Sequence, residues 1–480
     1  MNNRNFTRRD ILKTAGLSAA SIITSQSFSH AAQSANKPAA RPNIVFILAD
    51  DLGWKDVGYH GSSIPTPNID KLAAEGTRLE QFYVQPLCSP TRASLMTGRY
   101  PMRYGLQVGV IRPWARYGLP LEEHTLAQAL KEAGYTTAIC GKWHLGHMNP
   151  TYLPTSRGFD HQYGHYNGAL DYFTHDRDGG LDWHRDDQPA REEGYTTDLL
   201  ADESVRLIEQ QDASRPLFLY VPFNAVHAPL QAPESYLDKY KHIEPKNKRI
   251  YAAMLACMDD AIGRIVSAVD KRGMKNNTLI IFCSDNGGTG VGDNGPLRGQ
   301  KAQLYEGGVR VPAVAVWPGV LKAGAVVTEP LHIVDMYPTL LKLAGAKLRR
   351  KVTPTEQPLP LDGKDAWPTI TQSKPSPHEE ILLNLTPANG AIRRGNWKLI
   401  WNGSVGANNA GEKIRKDTFE LFNLAEDPYE KNDLSGKNPQ KFEELKRRLE
   451  FYAGQAAKPN VSPNNMPDDF AAPKVWGHPD

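Results

Sequence analysis

Apolar runs of strand length recur along the chain, and each ends in a polar cluster. "NIVFILADD" (43–51) stops at Asp50 and Asp51. "LAQALKEAGYTTAICGKWHLG" (126–146) reads as a helix, a glycine turn and a strand that closes on Lys142 and His144. "RPLFLYVPFNAVHAPL" (215–230) ends near His227, and "NTLIIFCSDNGG" (277–288) ends at Asp285 and Asn286. Between them, "IYAAMLACMDDAIGRIVSAVDKRG" (250–273) spaces its apolar residues helically and finishes on glycine. Strands with continuous apolar runs are buried on both faces. Alternating with helices, they predict an α/β fold with a large, mostly parallel sheet sandwiched by helices. In such sheets ligands bind beyond the carboxyl ends of the strands. The four strand ends above are where the polar residues gather.

A second pattern follows the proline-rich "KVTPTEQPLPLDGKDAW" (351–367). "EEILLNL", "GAIRRGNWKLIW" and "TFELFNL" predict short antiparallel strands, and "NPQKFEELKRRLEFYAGQ" an amphipathic helix that starts at Asn438 or Pro439. The expected organisation is a main domain over 41–370, a smaller α+β subdomain over 378–460 and a wrapping tail over 461–480.

Composition narrows the function classes. A net charge of +3 on 480 residues gives no footprint for nucleic acid or an anionic membrane, and no stretch is long and apolar enough to span a bilayer. The four cysteines form no CxxC pair and no HExxH is present, which argues against a zinc site. Cys140, Cys257 and Cys283 lie in apolar periodic segments and read as packing residues. Residues 1–31 carry adjacent Arg8 and Arg9, a short apolar segment and small residues near Ala31. They resemble a twin-arginine export signal, which implies a periplasmic or secreted protein.

The strand ends also carry the candidate chemistry. Asp50, Asp51, Asp285 and Asn286 offer four oxygen side chains, a set suited to a hard cation such as calcium. Either pair alone would be explained as loop acids capping helices. Arg92, Lys142, His144, His227 and Lys301 are expected beside them, and together they suit a tetrahedral oxyanion. Each alone would pass for a solvated surface charge.

"CSPTRASLMTGR" (88–99) remains, with a cysteine opening a polar turn. It matches the C-x-P-x-R…TGR signature of the type I sulfatases, and "NIVFILADD", "GYTTAICGKWHLG", "HAPL", "DNGG", "PLRGQKAQLYEGGVRVP" and "ELFNLAEDPYEKNDL" follow the same family's order. The chain therefore resembles a formylglycine-dependent sulfatase over about residues 41 to 455. "LPTSRGFDHQYGHYNGALDYFTH" (153–175) and "PLRGQKAQLYEGGVRVP" (296–312) are most similar to the arylsulfatase B (N-acetylgalactosamine-4-sulfatase) branch, although that branch's vertebrate disulfides are missing.

The resemblance implies an alkaline-phosphatase-like sulfatase fold. Cys88 would be oxidised to formylglycine (3-oxoalanine) by a formylglycine-generating or radical maturation enzyme. One hydroxyl of its hydrate would join Asp50, Asp51, Asp285 and Asn286 around Ca2+ and attack sulfur. Arg92, Lys142 and Lys301 would hold the sulfate, and His227 with Lys301 would protonate the leaving oxygen. His144 would deprotonate the second hydroxyl and so release sulfate. The implied substrate is a sulfated carbohydrate, 4-O-sulfated on galactose or N-acetylgalactosamine. Asp171, Tyr172 and His175 are the candidates to bind it, and Trp114 to Leu119 is the segment expected to line the mouth. The competing readings are a phosphate or phosphonate ester hydrolase of the same superfamily and a catalytically silent sugar-binding protein.

Overall fold

The computed structural model describes residues 41–348, 361–405 and 417–478. The expected export signal over 1–31 lies outside them. Five parallel strands form the middle of a ten-stranded sheet: β1 (Asn43–Ala49), β2 (Thr136–Lys142), β3 (His161–His165), β4 (Leu217–Pro222) and β5 (Thr278–Ser284). Their spatial order is β5-β1-β4-β2-β3. The sheet is more mixed than its sequence suggests. Ala313–Val316 adds antiparallel to β5, and His184–Arg185 adds antiparallel to β3. Strands of four and two residues leave little periodic signal.

Every residue of β1, β4 and β5 is buried. Alternate residues feed two cores. Ile44, Phe46 and Leu48 face one layer, packed with Ala93, Leu95 and Met96 of α1 (Cys88–Thr97) and with Leu126 and Leu130 of α2 (Leu126–Glu132). Val45, Ile47 and Ala49 face the other, with Leu200 and Ile208 of α3 (Thr196–Glu209) and the apolar stripe of α4 (Lys246–Lys271). Cys140, Cys257 and Cys283 are wholly buried in these cores, as expected of packing residues. At 0.8 kcal/mol or so per buried CH2, this double-sided burial is the main force fixing the strand ends in place.

The C-terminal part forms a four-stranded antiparallel sheet of β6 (Glu380–Leu385), β7 (Gly390–Arg394), β8 (Trp397–Trp401) and β9 (Phe419–Asn423). Helix α5 (Pro439–Ala453) covers one face through Leu445 and Leu449, with Asn438 at its N-cap and Pro439 in its first turn. Residues 457–478 then run back over the main sheet's side. Ala457 N donates to Met102 O, Asn460 N to Gly105 O and Trp476 N to Leu181 O.

Candidate active site

Register places the acids. Ala49 of β1 is level with Ser284 of β5, so Asp50 and Asp285 emerge side by side, and Asp51 N donates to Asp285 Oδ1 at 3.3 Å. Lys142 ends β2 two strands away and reaches Asp50 Oδ2 at 2.5 Å, with both side chains wholly buried. Helix α1 approaches with its N-terminus first. Cys88 is its first residue and is 2% exposed, and Gly98 ends it in the left-handed conformation at φ 67°. One turn in, Arg92 donates to Asp285 Oδ2 at 2.8 Å and to Lys142 O at 2.9 Å. Oxygens of Asp50 and Asp285 and the Cys88 sulfur all lie within 4.8 Å of one another.

The remaining residues close the ring. Lys301 Nζ lies 2.7 Å from Asp51 Oδ1, and His227 Nε2 lies 3.7 Å from Asp51 Oδ2. Asn286 Nδ2 donates to Asp51 Oδ1 at 2.7 Å. The segment bearing Lys301 is clamped on both sides, since Ala302 N donates to Pro86 O and Val405 N to Ala302 O. His144 Nε2 contacts Ile111 O at 3.0 Å. A Cβ at Gly168 would sit 2.5 Å from the His144 ring, so only glycine permits this approach.

Two buried oxygens, Asp50 Oδ1 and Asn286 Oδ1, have no hydrogen-bond partner among the described residues. A buried acceptor left unpaired costs on the order of 1–3 kcal/mol, and a cation between them removes that cost. The donor set is all carboxylate and amide oxygen, which suits Ca2+ better than a softer metal. The residues therefore fit an oxygen-ligated divalent ion.

Electrostatics separates the two central acids. Burial works against ionising Asp50, but Lys142, His227, Arg92 and Lys301 outweigh it and hold its pKa well below the carboxylate range. Burial and then the Asp50 charge push Asp285 up to about 7, against Arg92 and Lys142. Burial raises the Cys88 thiol. Burial, reinforced by Lys142 and Arg92, drives His144 well below the usual histidine value, and burial with Lys301 lowers His227. Burial would discharge Lys301, but Asp51 and its acidic neighbours raise it above the usual lysine value.

Above this floor lies a cavity of about 240 Å3, lined by Cys88, His144, His227 and Lys301 below and by Val110–Pro113, Gly168, Ala169 and Arg177 on the walls. That is below the roughly 300–1,000 Å3 of a drug-sized ligand site, and is suited to a compact ligand.

A family model for sulfatases matches residues 42–346. The chain belongs to the sulfatase family. Arylsulfatase J of Mus musculus is 39% identical over 91% of this chain and 80% of its own length. Arylsulfatase A of Homo sapiens is 34% identical over 85% of this chain and 87% of its own. Among solved structures, Ps i-CgsB superposes with a TM-score of 0.78 at 34% identity, covering 88% of this chain and 94% of that one. This sulfatase thus has the alkaline-phosphatase-like fold of the family, a helix-flanked sheet with a small antiparallel C-terminal sheet.

The structure places the sulfatase's three sugar-binding candidates outside the cavity lining. Tyr172 is 1% exposed and donates its hydroxyl to Asn224 O and His227 O, both at 2.7 Å. His175 is buried, stacks on Trp183 and reaches Gly194 O. Asp171 accepts from Phe173 N and Thr174 N and caps its own turn. None of the three lines the cavity; Tyr172 braces the His227 loop instead. Val110–Pro113 forms the wall, whereas Leu119 is in the core and Trp114 Nε1 donates to Pro463 O in the returning C-terminal segment. Sequence reading missed Arg112 and Arg177. A lone arginine carries no spacing signal.

Proposed function

We propose that this sulfatase removes a sulfate ester from a carbohydrate, at the 4-position of a galactose or N-acetylgalactosamine unit, with formylglycine at position 88 and one Ca2+. The observation that carries this reading is Cys88 at a helix N-terminus, buried against Asp50 and Asp285 on the floor of a cationic cavity. Asp50, Asp51, Asp285 and Asn286 would hold the ion. Bound there, Ca2+ would supply Lewis-acid polarisation of a sulfate oxygen and acidify a hydroxyl. The hydrated aldehyde would supply that hydroxyl as nucleophile, and a second one for releasing sulfate.

The chain's own groups then have distinct roles. Arg92 and Lys142 hold Asp50 and Asp285 in place from behind and add positive potential for the sulfate. His144 is neutral, and with Ile111 O accepting from Nε2–H its unpartnered Nδ1 lone pair is free to take a proton. His227 contacts Ala228 O through Nδ1 at 2.6 Å, which fixes the proton there and leaves Nε2 bare. At neutral pH the proton for the leaving oxygen is therefore on Lys301, and His227 lies beside it against the same Asp51 carboxylate.

Two experiments follow. Dialysis against a chelator should abolish turnover and Ca2+ should restore it; at about 100 times its Kd, Ca2+ should stabilise the fold by about 2.7 kcal/mol. Unchanged activity and melting after chelation would remove the cation from the reading. Regiochemistry is tested on paired 4- and 6-sulfated N-acetylgalactosamine and galactose saccharides. Ps i-CgsB has been crystallised with a neocarrahexaose, and N-acetylgalactosamine-6-sulfatase of Mus musculus is 36% identical over 69% of this chain, so both positions belong in the panel. Preference for the 4-sulfate is expected, and a 6-sulfate preference would overturn that assignment. The phosphonate monoester hydrolase of Agrobacterium radiobacter, at 22% identity, shares the fold alone.

A further inference from the structure

The walls of the cavity carry two arginines and no carboxylate. Arg112 and Arg177 line it together with Val110, Pro113, Gly168 and Ala169. The floor balances itself without them: Arg92, Lys142 and Lys301 face Asp50, Asp51 and Asp285. A divalent cation would add more positive charge there than one sulfate ester removes, so a single sulfate leaves surplus positive charge facing the walls.

Arg112 is uncommitted among the described residues, and Arg177 is committed only at its Nε. Arg112 has no ion pair or side-chain hydrogen bond among the described residues, and its segment is held by its backbone, with Ala115 N donating to Arg112 O. Ile111 N donates to Ser89 Oγ at 3.2 Å, which ties this wall to the turn bearing Cys88. Arg177 meets only Asp178 of its own turn, at Nε and 3.0 Å, which leaves its terminal nitrogens without a partner among the described residues. Its backbone is fixed by Trp476, whose Nε1 donates to Arg177 O at 2.8 Å. Two guanidinium groups on braced backbones, lining one cavity, suit bidentate recognition of a planar or tetrahedral anion.

We propose that Arg112 and Arg177 recognise a second anionic group on the substrate, a sulfate or carboxylate near the sulfate ester that is cleaved. The preferred substrate is then a polyanionic saccharide unit, not an isolated sulfated sugar. The inference rests on the sulfatase reading above.

The test compares kcat/KM for two saccharides that share one cleavable sulfate and differ only in a neighbouring sulfate or uronate. Wild type should favour the doubly anionic one, and Arg112→Ala and Arg177→Ala should each cut that preference by roughly tenfold or more, the worth of one charge-assisted contact. Arg112→Lys should recover part of it, because charge without the planar fork satisfies only part of the contact. Equal losses on both saccharides, as general attraction of anions would give, overturn the proposal, as does a wild type with no preference. If wild type hydrolyses no sulfate ester at all, the sulfatase reading falls first and takes this one with it.

Discussion

Cys88→Ser is expected to bind sulfated substrate and to lose multiple turnover by a factor of roughly a thousand or more. Serine keeps one oxygen at the head of α1, in the same pocket between Asp50 and Asp285, so the electrostatics of binding survive. It lacks a second hydroxyl on the same carbon, and the proton acceptor at His144 Nδ1 then has nothing to deprotonate. Release of sulfate has no route. The unmodified thiol is no substitute, since burial keeps it protonated. Turnover should be measured beside substrate binding and thermal melting, to separate chemistry from folding. Peptide mass spectrometry of wild-type protein, matured in a competent host, should show aldehyde or hydrate at position 88. Normal multiple turnover by the serine variant would falsify the mechanism.

Lys398→Met is expected to destabilise the protein by about 3–5 kcal/mol, the cost of stranding buried charge. Lys398 is wholly buried on β8 and reaches Glu306 Oε1 at 2.9 Å and Glu430 Oε1 at 2.7 Å. Glu306 also accepts from the Tyr83 hydroxyl at 2.7 Å, and Glu306 N donates to Glu430 Oε2 at 2.6 Å. This cluster joins the C-terminal sheet to the segment that carries Lys301, so its loss should loosen the site as well as the fold. It also gives a pH signature. Burial, and then Glu306, push Glu430 up to about 7 despite Lys398. Its folded pKa thus lies above its unfolded one, so its contribution is complete below the unfolded value and is lost as pH rises through about 7. Glu430→Gln has no such proton to lose, and wild type should fall in stability relative to it between about pH 4.5 and pH 7. Parallel stability–pH curves for the two proteins would sink this account. So would a Lys398→Met protein as stable as wild type.

Much of the scaffold was legible because burial on both faces leaves an unmistakable mark. Strands β1, β4 and β5 are continuous apolar runs, and the polar residue that follows each run marks its carboxyl end. The acids and Lys142 were readable for the same reason. Less was visible where a residue's partner is distant in sequence. Asp171, Tyr172 and His175 sit in a polar, aromatic segment that looks like a sugar site. In the structure their side chains contact backbone groups of Phe173, Asn224 and Gly194. Nothing local distinguishes a tyrosine aimed at a ligand from one aimed at a carbonyl 52 residues away.

The sequence by itself determined the family, the parallel centre of the sheet, the residues at its strand ends and the special position of Cys88, because periodicity and motif are local properties. Only the tertiary structure decided which of those residues share a charge. The register of β1 against β5 puts Asp50 beside Asp285. Lys142 and Arg92 then bind those acids directly, and Lys301 binds Asp51. The walls, with Arg112 and the terminal nitrogens of Arg177 unpartnered among the described residues and Tyr172 engaged, were likewise set by packing between distant segments, since a side chain's availability depends on every group that reaches it in space.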